Sequence, residues 1–204
     1  MASSTLRKRV GLLFLAFWVP AITVVTATLM SSHVVAMPEP RDAEKLHDAL
    51  QTLAPGPGRR LVHLVPDDCS CTNNLLRHLL ERGAEAPAEY LVFLGHRAGL
   101  SEKAVSAGYR YRELSAGVAE SRLSLQAAPV LAVLQGSALS YAGGYFDEPA
   151  AVHARTERIL AGIDAGRPPE GLPIFGCVLT EELRRRTDPF GLKRLEAVGR
   201  GDGW

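Results

Sequence analysis

LVHLVPDDCSCTNNLLRHLL, residues 61–80, joins an apolar run to an amphipathic one through two acidic residues and a Cys-x-Cys. Leu61–Val65 reads as a buried strand, and Pro66, Asp67 and Asp68 end it. Leu75, Leu76, Leu79 and Leu80 then recur at helical spacing, with Thr72 or Asn73 able to cap the helix. Cys69 and Cys71 therefore stand between the end of a strand and the start of a helix. Unpaired backbone N–H groups and the positive helix end favour thiolate over thiol there. Strand ends of α/β sheets are also where ligand sites collect. Asp67 and Asp68, if ionised, oppose the effect, because a neighbouring negative charge raises a thiol pKa.

The flanking sequence repeats the alternation. RDAEKLHDALQTLA (41–54) places Leu46, Ala49, Leu50 and Leu53 on one helical face, and Pro55-Gly56-Pro57-Gly58 ends it. Residues 90–94 (YLVFL) form a second apolar strand, 101–107 a short helix, and 110–114 a third strand. A polar connection leads to Pro129 and the strand VLAVL at 130–134. Gln135-Gly136-Ser137 turns the chain into LSYAGGYF, and a helix is expected from about Glu148 to Gly162. RPPEGLP interrupts before IFGCVLTEELRRR, which carries Cys177. Strands alternating with helices, followed by a hairpin and a helix, predict a mixed α/β sheet covered by helices.

At the N-terminus, Arg7, Lys8 and Arg9 precede an uncharged apolar run from Val10 to Met30. Those 21 residues span about 31 Å as a helix, enough to cross a bilayer core of about 30 Å. Backbone groups in lipid must bond within the segment, so the run is read as one transmembrane helix. The basic flank predicts a cytoplasmic N-terminus and a domain outside, which for a bacterial chain means single-pass anchoring in the inner, cytoplasmic membrane with a periplasmic domain. A cleaved secretory signal is the competing reading, with the same destination. The part beyond the anchor holds 20 Lys and Arg against 22 Asp and Glu, near −2. That balance argues against non-specific nucleic-acid binding. No Walker, Gly-x-Gly-x-x-Gly or Gly-x-Ser-x-Gly pattern occurs, which removes nucleotide-loop and serine-hydrolase readings.

The segment Val62-His63-Leu64-Val65-Pro66-Asp67-Asp68-Cys69 resembles the active-site strand of the thioredoxin superfamily, where a central strand runs into a Cys-x-x-Cys at a helix start. Ala128-Pro129-Val130-Leu131, then Gln135-Gly136 and Gly143-Gly144, is similar to the family's proline loop, hairpin and glycine. In style the chain is closest to membrane-anchored, extracytoplasmic TlpA-like and RedB-type members. The resemblance covers about residues 58–165. It implies a thioredoxin-like domain there, after a stub and anchor at 1–36 and a linker with amphipathic helix at 37–57. Residues 166–204 are then a C-terminal extension carrying Cys177. It further implies a cis Ala128–Pro129 bond and a proline loop that holds an extended client segment beside the thiols.

The departures are chemical. The motif is one residue shorter than the family's, so a Cys69–Cys71 disulfide would close a tight ring. Asp68 stands where the family usually has Trp, and His63 where it commonly has a buried acid. Alternation places His63 inward if Val62 and Leu64 face the other layer, as a proton relay or as a satisfied core histidine. The resemblance thus implies a membrane-anchored thiol–disulfide oxidoreductase without a cofactor. Its residues are Cys69, Cys71, His63, Pro129 and Cys177, with Cys177 as resolving thiol or as half of a structural disulfide. Expected partners are a client protein with thiols or a disulfide, as in cytochrome or metalloenzyme maturation, a membrane electron donor, and the bilayer. Two alternatives stand beside it. One is copper binding or delivery, with Cu(I) on Cys69, Cys71 and Cys177, helped by His63 or His96; zinc also accepts such ligands. The other is a tethered interaction module without enzymatic chemistry.

Overall fold

The computed structural model describes residues 2–34, 36–67, 70–85, 88–148, 155–167 and 169–188. The N-terminal helix α1 (Ala2–Val34) runs for 33 residues, and Arg7–Ala27 within it is long and apolar enough to cross a membrane. Its apolar side chains, Leu12, Phe14, Phe17 and Trp18 among them, are exposed. Pro20 lies inside the helix, and Thr23 Oγ1 donates to Val19 O at 2.9 Å.

The compact unit spans Ser32–Arg184. Its main sheet has five strands in the order β3-β2-β1-β5-β6. These are β1 (Arg59–Pro66), β2 (Glu89–Leu94), β3 (Arg110–Leu114), β5 (Val130–Gln135) and β6 (Ala138–Gly143). β1 is parallel to β2 and β2 to β3; β5 runs antiparallel to both β1 and β6. A separate two-stranded ladder joins β4 (Ala127–Ala128) to β7 (Cys177–Val178). The architecture is the mixed sheet flanked by helices that the alternation predicted.

Side-chain parity along the central strands sorts the core into two layers, since successive residues point to opposite faces. Val62, Leu64, Val92, Val130 and Ala132 pack with α2 (Ala43–Leu53) and α5 (Ala116–Leu123) through Leu46, Leu50, Ala119 and Leu123. Leu61, Val65, Leu91, Phe93, Leu131 and Val133 form the opposite layer. They meet Leu75, Leu76 and Leu79 of α3 (Ser70–Arg82), Leu100 and Ala104 of α4 (Leu100–Ser106), and Ile159 and Ile163 of α6 (Thr156–Asp164). Each such leucine contributes about 1.5–3 kcal/mol on burial.

Several boundaries differ from expectation for local reasons. α3 begins at Ser70, so Thr72 and Asn73 lie inside its first turn, past the capping position. Asn73 Oδ1 instead accepts from Arg97. The polar connection after β3 contains α5, capped by Ser115, whose side chain accepts from Val118 N. α6 begins only at Thr156; Glu148 precedes it without helical structure, and the rest of that expected first half, 149–154, lies outside the described residues. The short strand β7 and helix α7 (Glu181–Thr187) carry too few residues to show a period in sequence.

Candidate functional site

The cysteine segment leaves the sheet at the C-terminal end of β1. Asp67 still belongs to the sheet edge, its N–H donating to Leu94 O at 3.3 Å, and α3 starts at Ser70. Asp68 and Cys69 lie outside the described residues, and of Cys71 only the backbone is described, within the first turn of α3. Thr72, next in that turn, is fully buried, and its hydroxyl has no hydrogen-bond partner among the described residues.

Antiparallel pairing brings the other end of β5 to the same edge. Leu64 is in register with Val130, so Pro129 stands beside the last residues of β1. The Ala128–Pro129 peptide bond is cis, as the resemblance implied. Ala128 is in register with Cys177, which is half-buried, and Leu179 N donates to Gln126 O at 2.8 Å. Gly176 lies hard against this turn. A Cβ there would overlap Ala128 O and come within 2.6 Å of Pro129 Cδ, so only glycine fits. The carboxyl end of β1, Pro129 and Cys177 thus gather at one end of the sheet.

His63 sits deeper, on the α3-facing layer, with Val62 and Leu64 facing the other way. Both its ring nitrogens are engaged: Nδ1 meets the Tyr145 hydroxyl at 2.7 Å and Nε2 meets Glu89 Oε1 at 2.7 Å. Burial lowers the His63 pKa against the opposing pull of Glu89, which keeps the ring neutral. A neutral imidazole facing a carboxylate donates from Nε2, so Nδ1 accepts from Tyr145. Burial works to raise the Glu89 pKa, but the bond to His63, the Arg82 charge and the Glu85 N–H together hold it down at about 2. Arg82 reaches both Glu89 and the Tyr109 hydroxyl, the latter at 3.0 Å. Tyr109 in turn donates to Leu79 O at 2.8 Å, with Gly83 O nearby at 3.0 Å. Burial raises both tyrosine pKa values, so the hydroxyls stay protonated.

The polar partners of His63 were not visible in the sequence. Glu89 offered one weak signal, a single charge opening the apolar strand EYLVFL. Arg97 offered none. It lies in the loop after β2, donates to Asn73 Oδ1 at 3.0 Å, and donates to Asp67 O and Oδ1 at 3.1 and 3.0 Å. Its guanidinium also sits 5.3 Å above the centre of the Phe93 ring. His96, a candidate ligand by sequence, is exposed and bonded to Glu113 at 2.9 Å, apart from His63 and its partners. Among the described residues no three His, Cys, Asp or Glu side chains cluster as a metal site.

No family model and no curated protein matches the chain. Among solved structures, the chain is similar to an uncharacterized conserved protein from Geobacillus kaustophilus, at 14% identity and a TM-score of 0.45. That match covers 60% of this chain and 77% of the other. It is also similar to a hypothetical protein from Sinorhizobium meliloti 1021, at 15% identity and a TM-score of 0.48, covering 67% and 82% respectively. Likenesses at this level carry no functional weight, so the site rests on the geometry of this chain.

Proposed function

We propose that the chain is a membrane-anchored thiol–disulfide oxidoreductase with a thioredoxin-like layout, its N-terminus cytoplasmic and its domain outside. One observation carries the reading: Pro129 and Cys177 are brought to the same sheet end from which the Cys69-Ser70-Cys71 segment departs. The order of elements supports it. A parallel strand–helix–strand unit, β1-α3-β2, is followed by an antiparallel hairpin, β5-β6, and a helix.

In the proposed reaction the Cys69 thiolate attacks one sulfur of a client disulfide, forming a mixed disulfide and expelling a client thiolate that takes up a proton. Cys71 or Cys177, as thiolate, then attacks the Cys69 sulfur. The client leaves as a dithiol and the protein keeps a disulfide, two electrons having passed to the client. A membrane dithiol donor must then reduce the protein; run backwards, the same steps oxidise a client. His63 enters as a positioning residue, because moving a proton through it requires exchanging its bond to Tyr145 or to Glu89.

The test uses the full chain in detergent or lipid discs, reduced and then mixed with a model disulfide. Turnover in the wild type that is lost in Cys69→Ser supports the reading. Acid trapping followed by mass mapping identifies the resolving sulfur. A folded, reduced wild type with no turnover, or a bond to Cys177 that persists through reduction, sinks it. Stoichiometric Cu(I) capture without turnover would transfer the site to metal delivery.

A further inference from the structure

We infer that β4 is a strand-addition edge whose resident strand, residues 176–179, is exchanged for an extended client segment with a glycine two places before an apolar residue. That the occupant is a client rests on the thiol reading above; the edge itself does not. β4 stands outside the five-stranded sheet, and among the described residues its strand partner is β7. Ala127 is in register with Val178 and Ala128 with Cys177, and Leu179 N donates to Gln126 O at 2.8 Å. The attachment is therefore made by main chain. Main-chain hydrogen bonds do not read side chains, so another extended segment can supply them. Ala127 and Ala128 are fully buried, and their backbone groups must stay paired, so the resident strand leaves by replacement.

The ends of this strap are fixed more firmly than its middle. Ahead of it, Leu172 O accepts from Gly144 N and Ile174 O from Met37 N, both at 2.8 Å, and Ile174 is buried. After it, Thr180 and Leu183 are buried, and the Thr180 hydroxyl accepts from Leu183 N at 3.3 Å. Between them Cys177, Val178 and Leu179 are only half-buried. Local opening favours a segment with little buried surface, and here it bows out while both anchors hold. The lining of the edge states what fits it. A Cβ at position 176 would overlap Ala128 O, so the incoming segment needs glycine there. Val178 packs against the core, so an apolar side chain belongs two places later.

The test uses the full chain in lipid discs and a dye-labelled peptide, Ile-Phe-Gly-Ser-Val-Leu-Thr, which copies residues 174–180 with serine for the cysteine. Leu179→Pro deletes one ladder hydrogen bond of the strap and should tighten peptide binding about fivefold. Gly176→Ala forces the strap off Ala128 and should tighten it about tenfold or more. A peptide with alanine for its glycine should bind Leu179→Pro at least about tenfold more weakly than the parent peptide. Hydrogen exchange locates the event. Wild-type amides at 177–179 should exchange at least about tenfold faster than those of β5, and bound peptide should leave them faster still. Folded variants that bind the peptide no better than wild type overturn the inference. So does an alanine peptide that binds equally well, or exchange at 177–179 as slow as in β5. A Leu179→Pro protein that pairs into dimers and ignores the peptide would assign the edge to a second copy and overturn it too. The peptide carries no thiol, so disulfide turnover and strap exchange are read separately: absent turnover with peptide bound refutes the functional reading and keeps the edge.

Discussion

Replacing Glu89 by Gln tests the buried network at its centre. Glu89 is fully buried and accepts from His63 Nε2, from Arg82 and from the Glu85 N–H. Its pKa of about 2 lies below the ordinary 4.5, despite burial, because those three groups hold the charged form. That gap corresponds to about 3 kcal/mol of folded-state stability at neutral pH. An amide removes the charge and presents an N–H₂ group to donors, so Glu89→Gln should be less stable than wild type by about 3 kcal/mol at pH 7. The sign with pH comes from proton binding. A carboxylate with a depressed folded pKa stabilises above its unfolded value and loses that contribution as pH falls from about 4.5 to about 2. His63, whose folded pKa also lies below its ordinary 6.5, begins a loss in the same direction at higher pH. Wild-type stability should therefore decline in two stages on acidification, and Glu89→Gln should lack the lower one. Urea unfolding of the solubilised full chain at steps from pH 7 to pH 2.5, followed by tyrosine near-UV dichroism, measures both curves. A variant within about 0.5 kcal/mol of wild type at pH 7 would refute the reasoning. So would a deficit that stays undiminished at pH 2.5.

Packing and hydrogen bonding set two further outcomes. Tyr145→Phe leaves the His63 Nδ1 acceptor unpaired in a dry site and should cost about 1–3 kcal/mol, read as a lower urea midpoint at unchanged slope. Gly176→Ala drives a Cβ into Ala128 O and should destabilise by about 2–3 kcal/mol; a melting temperature equal to wild type would show that β7 does not hold its place against β4.

The parity of residues 61–65 in sequence already separates the two core layers, because β1 pairs with β2 without a register shift and simple alternation holds from Leu61 to Val65. That alone turned His63 toward α3. Its partners were not legible, because Glu89 comes from β2, Arg82 from α3 and Tyr145 from the chain beyond β6, and they meet only through the sheet register and the packing of α3. The approach of Cys177 to Pro129 was hidden for a related reason. β4 and β7 are two residues each, held by long-range pairing and by the glycine at 176 that lets the backbones touch. Periodicity needs length, and neither strand has it. Arg97 shows the limit most clearly: a loop arginine carries no pattern until the turn at Gly95 brings it back over Asp67.

The two polar groups also act on a single object, the helix that carries Cys71. Leu75, Leu76 and Leu79 fasten α3 to the sheet, but apolar burial is non-directional and resists sliding weakly. A slip of one residue moves a helix by about 1.5 Å, enough to break hydrogen bonds near 3 Å. Arg97 grips Asn73 in the first turn, and Tyr109 and Arg82 hold the last turn, through Leu79 O and Glu89. The helix is therefore fixed along its axis at both ends. The placement of its positive end beside the cysteine segment then depends on the strand–helix–strand unit as a whole.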